Sequence, residues 1–390
     1  MPQRPTTSIV KRWATRLAGP GPRRVQPLAT ILDAFRPDRA VWGWCGPERI
    51  WGPMAQFRAP AFPYPPADHA GAPVHEVLDG TPRFRDPFVA AAHDCVAFAL
   101  PDAGAVGQDG LIYHVPTRTA VRETTVQWWG DGETNPLLHA PRLAPPQRRQ
   151  GAAVCLRCLG ASFYHVMTEG LSRLVVLREM VAQAEHVLVS AEEAPWAISW
   201  IEQAGIPFEK LIFCRGDTHL VFDTLYFATP FLREQQPTPA HISALAELYF
   251  DDVPQSDPAR TRREIYLSRK DAGSRQWAGE DAFIAANPGI EVVTLAGLSP
   301  RAQRDLFASA TAIVGVHGAN LANIAFCRPP FTVIELFPER GYAPMYYRWA
   351  HAAGGGHVAV HLAGSPEKQA QDATGALRTA LARDRVQAVP

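Results

Sequence analysis

No uninterrupted apolar run of about 18 residues occurs in the chain, so no membrane-crossing helix is expected. No apolar segment follows the early cations Arg4, Lys11 and Arg12. Neither a secretory signal nor a lipoprotein box is therefore read, and a cytoplasmic protein is expected. Lysine is nearly missing, found only at Lys11, Lys210, Lys270 and Lys368, so the positive charge is almost all arginine. The 38 cationic and 38 acidic side chains cancel, which argues against electrostatic binding of nucleic acid. Cysteine is sparse. Cys155 and Cys158 form one C-x-x-C, but no second pair or nearby His completes a zinc set, and buried reduced thiols are the expectation. No D-x-D follows a strand candidate. Asp251-Asp252 precedes a Pro in a loop stretch, so a carboxylate pair that bridges Mg²⁺ or Mn²⁺ to a diphosphate is missing. No metal and no other cofactor is expected.

What is present is a chain of 390 residues, 47 % of them hydrophobic, long enough for two domains with separate cores. Residues 1–80 form a Pro/Arg-rich extension read as partly disordered. Its cluster Lys11, Arg12, Arg16, Arg23 and Arg24 admits two readings, a solvated tail or peripheral association with an anionic membrane surface. From Cys95 to Thr125 short strands and Asp-Gly turns alternate. Strand and helix then alternate from Ala152–Leu156 through a helix over Tyr164–Met180 to Phe222–Phe227. Pro230–Pro239 reads as a linker. The alternation restarts with a helix at Pro239–Tyr249 and strands at Ile265–Ser268, Glu291–Leu295, Ala312–Val316, Val333–Leu336 and His357–His361. A last helix is read near Glu367–Arg383.

The most informative stretch runs from Thr311 to Leu336. A β-branched run, Thr311–Val316, reads as a strand covered on both faces. His317-Gly318 is a turn, Ala319–Phe326 a helix with Leu321 and Ile324 on one face, and Phe331–Leu336 a second strand. A crossover helix that starts at a glycine presents free N–H groups and suits a diphosphate. His317, Asn320 and Asn323 share the other side. Glu335 lies near a strand end, where a carboxylate can accept hydrogen bonds from a ribose diol. An ordinary strand–helix–strand unit with a packing glycine is the alternative.

Two further constellations stand out. Arg269, Lys270 and Arg275 follow the strand Ile265–Ser268, with Glu280 opening the next helix. Cations at that edge of a sheet suit a phosphate, or form a solvated loop of weak salt bridges. His165 and Glu169, four apart, share one face of the first long helix. They suit a general base and its orienting partner, or a core histidine at a helix start.

His317-Gly318-Ala319-Asn320-Leu321-Ala322-Asn323, then Phe326, Pro329-Pro330 and Val333-Ile334-Glu335-Leu336, resembles the signature of glycosyltransferase family 61. Tyr266-Leu267-Ser268-Arg269 with Arg275 and Glu280 resembles that family's second motif, with Gly279 where the family has Asn. Ser162-Phe163-Tyr164-His165 through Glu169 resembles a third, with Ser162 in place of Asn and Val166 in place of an aromatic residue. The likeness covers roughly Cys95 to Leu362.

The resemblance implies a GT-B-like α/β fold: two doubly wound Rossmann-like domains with a cleft between them and a β-rich N-terminal entry. An acceptor-side domain would span 81–235, a nucleotide-sugar domain 236–365, and a helix with tail 366–390 that would pack back onto the first domain, as tails of that fold do. It implies an inverting, metal-independent enzyme that moves sugar from a nucleotide-sugar donor to a glycan or glycolipid acceptor in cell-surface polysaccharide synthesis. Arg269, Lys270, Arg275, His317, Gly318, Ala319, Asn320, Asn323 and Glu335 would bind the donor, and His165 and Glu169 would activate the acceptor. A non-catalytic GT-B-like binding partner and a sugar-nucleotide epimerase are the rivals.

Overall fold

A computed structural model describes residues 24–26, 75–77, 97–124, 144–228, 237–251, 263–338 and 345–387, with 109, 117, 118, 122, 123, 159 and 238 excepted. The basic cluster before Arg24, most of the N-terminal extension, Asp252 and most of the Pro230–Pro239 linker lie outside the described residues. The chain divides into two units, Met1–Phe57 with Asp94–Phe231, and Arg58–His93 with Leu232–Pro390. Both are α/β. Among the described residues no helix is long and apolar enough to cross a membrane.

The first unit is built on β1 (Arg24–Gln26), β3 (Ala97–Val106), β4 (Leu111–His114), β5 (Thr119–Val121), β6 (Gln147–Arg148), β7 (Ala152–Leu156), β8 (His186–Val189), β9 (Leu211–Phe213) and β10 (His219–Ala228). Their order is β1-β5-β4-β3-β10-β7-β8-β9, with β6 beside β10. β3 and β4 run antiparallel to both their neighbours, β5 is antiparallel to β4 but parallel to β1, and β10, β7, β8 and β9 are mutually parallel. This mixed sheet differs from the doubly wound one expected. The long β3 pairs with β10 along its whole length, so the β-rich entry is part of the same sheet. Leu100, Ile112, Leu188, Phe222, Leu225 and Phe227 are buried in its core.

Helices α1 (Leu174–Gln183) and α2 (Pro195–Gln203) belong to this unit. The helix expected over Tyr164–Met180 is interrupted. One α turn at Phe163–His165 leads into a π turn, Val166–Gly170, and a 3₁₀ turn, Leu171–Arg173, before α1 begins. Hydroxyls compete for the backbone here: Thr168 Oγ donates to the Tyr164 carbonyl at 2.7 Å and Ser172 Oγ to the Thr168 carbonyl at 2.5 Å. Such back-bonding perturbs the regular ladder.

The second unit carries β2 (His75–Val77), β11 (Arg263–Leu267), β12 (Glu291–Val293), β13 (Ala310–Val316), β14 (Thr332–Phe337) and β15 (Gly356–His361). The order is β12-β11-β13-β14-β15-β2, and every pairing is parallel. Strands β13 and β14 are buried at every residue, which accounts for their unbroken apolar runs. Helices α3 (Pro239–Tyr249), α4 (Glu280–Ala286), α5 (Pro300–Ser309), α6 (Met345–Ala352) and α7 (Pro366–Gln387) complete the unit. Ser299 caps α5 by accepting from the Ala302 N–H at 3.2 Å, with Pro300 in the first turn, the pairing that starts a helix.

Numbered within the unit, the five strands β11 to β15 lie in the order 2-1-3-4-5. This is a doubly wound sheet whose strand order reverses between β11 and β13, where such sheets bind ligands. The C-terminal helix corrects an expectation. Ala370, Ala373, Ala376, Leu377 and Ala380 sit in the core of this second unit, against α4, β13, β14 and β15. Their spacing of three and four makes one small-residue face that lies close on the sheet, so α7 belongs to the unit that precedes it.

Candidate functional site

The reversal point of the second unit gathers side chains from three adjacent strands. Arg269 leaves the C-terminal end of β11 and is half-buried. Its Nη2 donates to the Ser274 carbonyl at 3.3 Å. The guanidinium lies over Gly318: a methyl group added there would sit 2.3 Å from Nη1. Gly318 is extended, with φ 175°, so glycine is required here for close approach rather than for backbone conformation. Arg275 has φ +56°, a left-handed conformation that costs a bulky residue about 1–3 kcal/mol. In it, Nη1 reaches the His317 carbonyl at 3.2 Å. Among the described residues no carboxylate forms an ion pair with either arginine. Burial, reinforced by the adjacent Arg275, pushes the Arg269 guanidinium below its ordinary value. Asp271 offsets part of this charge without pairing to it, and two cations held this close would suit a multiply charged anion.

Beneath the arginines, Ser268 Oγ donates to the buried Glu280 at 2.6 Å, and Trp277 Nε1 to the Tyr266 hydroxyl at 2.7 Å. These bonds fix the end of β11 and the start of α4. Gly279, which stands where an asparagine was expected, is closely packed. A Cβ there would lie 2.6 Å from the Pro366 carbonyl and 2.9 Å from the Trp277 ring. The α7 start occupies the space an asparagine side chain would need.

His317 ends β13. Its backbone N–H still bonds the Leu336 carbonyl at 2.9 Å, and its ring stacks on Phe337 with centroids 5.3 Å apart and planes 21° apart. Tyr346 of α6 lies 5.6 Å from it, centroid to centroid. His317 Nδ1 meets Glu335 Oε1 at 2.5 Å, and His357 Nε2 meets Glu335 Oε2 at 2.8 Å. Glu335 is fully buried. Burial alone would raise its carboxyl, but the hydrogen bonds and charge of His317 and His357 outweigh that and hold it below the ordinary carboxylate value. Both oxygens of Glu335, expected to meet a ribose diol, are held by the protein's own donors, an arrangement that suits a role on His317.

The remaining expected donor residues separate. Ala319 and Asn320, half-buried, open a 3₁₀ helix, Ala319–Phe326, where an α-helix had been the natural reading. The first N–H groups of this helix have no partner within it. Asn323 is fully buried; its Nδ2 donates to Gln303 Oε1 at 3.2 Å and to the Asn320 carbonyl at 3.1 Å. Through its Nδ2 it ties the 3₁₀ helix to α5. Lys270 turns to Asp281 at 2.5 Å, both exposed, a surface pair of little energetic weight. The signal for His357 was available only as alternation. It sits on β15 opposite Val333, two residues before Glu335 on the same face, and nothing short of the register brings it to that carboxylate.

In the first unit, His165 Nδ1 and Glu169 Oε1 are 2.9 Å apart, with both side chains mostly buried. They lie on the interrupted helix that follows β7. Gly170 lets this helix approach the strand, since a Cβ there would meet the Leu156 carbonyl at 2.6 Å. Arg173, not singled out from the sequence, locks the arrangement. Its Nη1 donates to the carbonyls of Arg157 and Glu169 at 2.5 and 2.9 Å, and its Nε to that of Ala228 at 3.1 Å. The pair thus stands at the C-terminal ends of the adjacent parallel strands β7 and β10. π turns recur at functional sites because they re-aim side chains out of the regular helix pattern. The neighbouring Cys158 is buried, and burial together with the Glu169 charge pushes its thiol up to about 12. Cys155, Cys158, Cys214 and Cys327 are buried and in no disulfide, as expected of reduced structural thiols.

The family model described as Glycosyltransferase 61 matches residues 163–334. That span opens at the helix turn bearing His165, includes Arg269, Arg275 and His317, and closes one residue before Glu335. No curated protein matches the chain.

Proposed function

With residues 163–334 belonging to glycosyltransferase family 61, we propose that this glycosyltransferase is inverting and metal-independent and takes its sugar from a nucleoside diphosphate donor held by the second unit. The observation that carries the reading is the convergence of Arg269, Arg275, His317 and Gly318 where the strand order of a parallel sheet reverses. The arginines and the first N–H groups of the 3₁₀ helix would bind the diphosphate. As the bond to the anomeric carbon breaks, charge develops on that leaving group, and fixed cations stabilise it without reorganisation.

The acceptor is assigned to the first unit, as a glycan or glycolipid of a cell-surface polysaccharide. His165 takes the proton of the attacking hydroxyl, and Glu169, 2.9 Å away, orients the imidazole and stabilises its charged form. Chemistry takes place on the inner side of the membrane, where sugar nucleotides are made. The tight packing at Gly279 accounts for the asparagine missing from the second motif and removes one support for a degenerate binding partner.

A thermal-shift panel of nucleoside diphosphate sugars in metal-stripped buffer tests the reading. A bound donor stabilises the fold by mass action, by about 2.7 kcal/mol at a hundredfold excess over Kd. At least one sugar nucleotide should raise the melting temperature with EDTA present, and Arg269→Ala should abolish the rise. Stabilisation that requires added divalent metal, or no stabilisation by any donor, refutes it.

A further inference from the structure

We propose that Glu335 and His357 hold His317 so that only its Nε2 exchanges a proton, and that the diphosphate group of the donor binds the imidazolium form, with uptake of one proton from solvent. This rests on the donor-site reading above and adds to it two positioning residues and a proton. Glu335 and His357 both lie beyond the matched family span.

The geometry is specific. A carboxylate accepts hydrogen bonds and cannot donate, so Nδ1 of His317 must carry the hydrogen shared with Glu335 at 2.5 Å, and Nε2 of His357 the one shared at 2.8 Å. The Glu335 contact and the Phe337 ring against one face together set the orientation of the His317 ring. That leaves Nε2 of His317, on a side chain 17 % exposed, as the ring nitrogen turned away from Glu335. His357 is 2 % exposed and Glu335 1 %, so the solvated end of this three-residue cluster is His317.

The charges facing His317 oppose one another. Glu335 from β14 favours the imidazolium. Arg269 and Arg275, from the segment after β11, disfavour it, and Arg275 donates directly to the His317 carbonyl. His357 from β15 competes for the same carboxylate. Tyr346 from α6 and Phe337 complete the surroundings as rings. An arriving diphosphate neutralises the two guanidinium groups, removes their repulsion and adds its own attraction. The balance then shifts to His317 protonated on Nε2, which becomes a charge-assisted donor to a phosphate oxygen. Linkage requires the reverse as well: a bound diphosphate makes His317 harder to deprotonate, and affinity falls as pH rises through the titration of the bound form.

The test is calorimetry with inorganic diphosphate, in several buffers of different ionisation enthalpy at one pH near 7.5, on the full chain. The proton count is compared between wild type and His317→Gln. The ligand's own ionisation is common to both, so the difference reports His317. Wild type should take up a larger fraction of a proton than His317→Gln. His357→Gln, which keeps an N–H donor for Glu335, should retain the excess uptake. His357→Leu, which removes that donor, should change it. If His317→Gln does not bind, the imidazole ¹⁵N spectrum of wild type with and without diphosphate supplies the comparison: Nδ1 should stay protonated throughout and Nε2 should gain a proton on binding. Equal uptake in wild type and His317→Gln, or an Nε2 signal unmoved by ligand, overturns the inference and leaves the donor site standing. No binding of diphosphate by wild type overturns both.

Discussion

Replacing Gly318 by Ala isolates the diphosphate site from the fold. The backbone at 318 is extended, so alanine adopts it without strain. The added carbon would stand 2.3 Å from Arg269 Nη1 and 3.1 Å from its Cζ, while the nearest backbone atom, the Val316 carbonyl oxygen, is 3.6 Å away. Only the flexible guanidinium has to give way. Ordinary contact at about 3.4 Å requires it to move by about 1 Å, enough to misalign charge-assisted hydrogen bonds. One such bond is worth about 1.5–3 kcal/mol, roughly ten- to a hundredfold in affinity. Gly318→Ala should therefore weaken nucleoside diphosphate binding by that factor and leave the melting temperature within about a degree of wild type. Gly289→Ala is the control, because a Cβ there meets nothing within 4 Å; it should bind normally. Since the defect acts through Arg269, Gly318→Ala should cost little more affinity once Arg269 is already alanine, a double-mutant coupling. Titration calorimetry and thermal melts measure wild type and all four variants. Normal diphosphate binding by Gly318→Ala, or full additivity with Arg269→Ala, would show that the Arg269 guanidinium does not hold the ligand in this position.

Glu335→Gln should lower stability measurably, since one oxygen is replaced by an amide that faces a histidine donor, at a cost of about 1–3 kcal/mol. Because the Glu335 pKa is depressed in the fold, its contribution is present above the ordinary carboxyl value of about 4.3 and is lost as pH falls. The gap in denaturant stability between wild type and Glu335→Gln should narrow as the pH is lowered below about 4; a gap constant from pH 7 to 3 contradicts the pairing. Restoring asparagine at position 279 should destabilise the protein, because the Pro366 carbonyl is backbone and cannot move aside; a melting temperature equal to or above wild type shows that α7 is not packed there. His165→Ala and Glu169→Gln should keep donor affinity while the transfer rate falls about 10²–10⁴-fold for the base. Rates within a few-fold of wild type for both move the base elsewhere.

What could be read in the chain and what could not follow from the range of the interactions. β13, its turn and β14 are local, and their buried β-branched runs announce them. Cations after β11 and a glycine turn after β13 are each visible as strings. Their meeting is not visible, because it depends on β11 and β13 being neighbours in a sheet whose chain order runs β11, β12, β13. The same limit applies to Glu335. A carboxylate at a strand end looks available to a ligand until His357, 22 residues on, is placed beside it by the parallel register. Asn323 shows the weakness of face arguments at a helix of unexpected pitch: in a 3₁₀ helix residues three apart eclipse, and its amide turns to Gln303 and to the Asn320 carbonyl. The alanine face of α7 could be seen, but its partner could not, since small residues pack equally well on any sheet.

The central claim is that this chain cleaves a nucleoside diphosphate sugar using arginines in place of a metal. The most direct measurement is release of nucleoside diphosphate from a panel of sugar nucleotides by metal-stripped protein in excess EDTA, with the sugar product analysed alongside. The account predicts turnover of at least one donor, undiminished by EDTA and lost in Arg269→Ala, with the anomeric configuration of the released or transferred sugar opposite to that of the donor. Turnover that appears only when Mg²⁺ or Mn²⁺ is restored, or recovery of an epimerised sugar nucleotide in place of free nucleoside diphosphate, would contradict it.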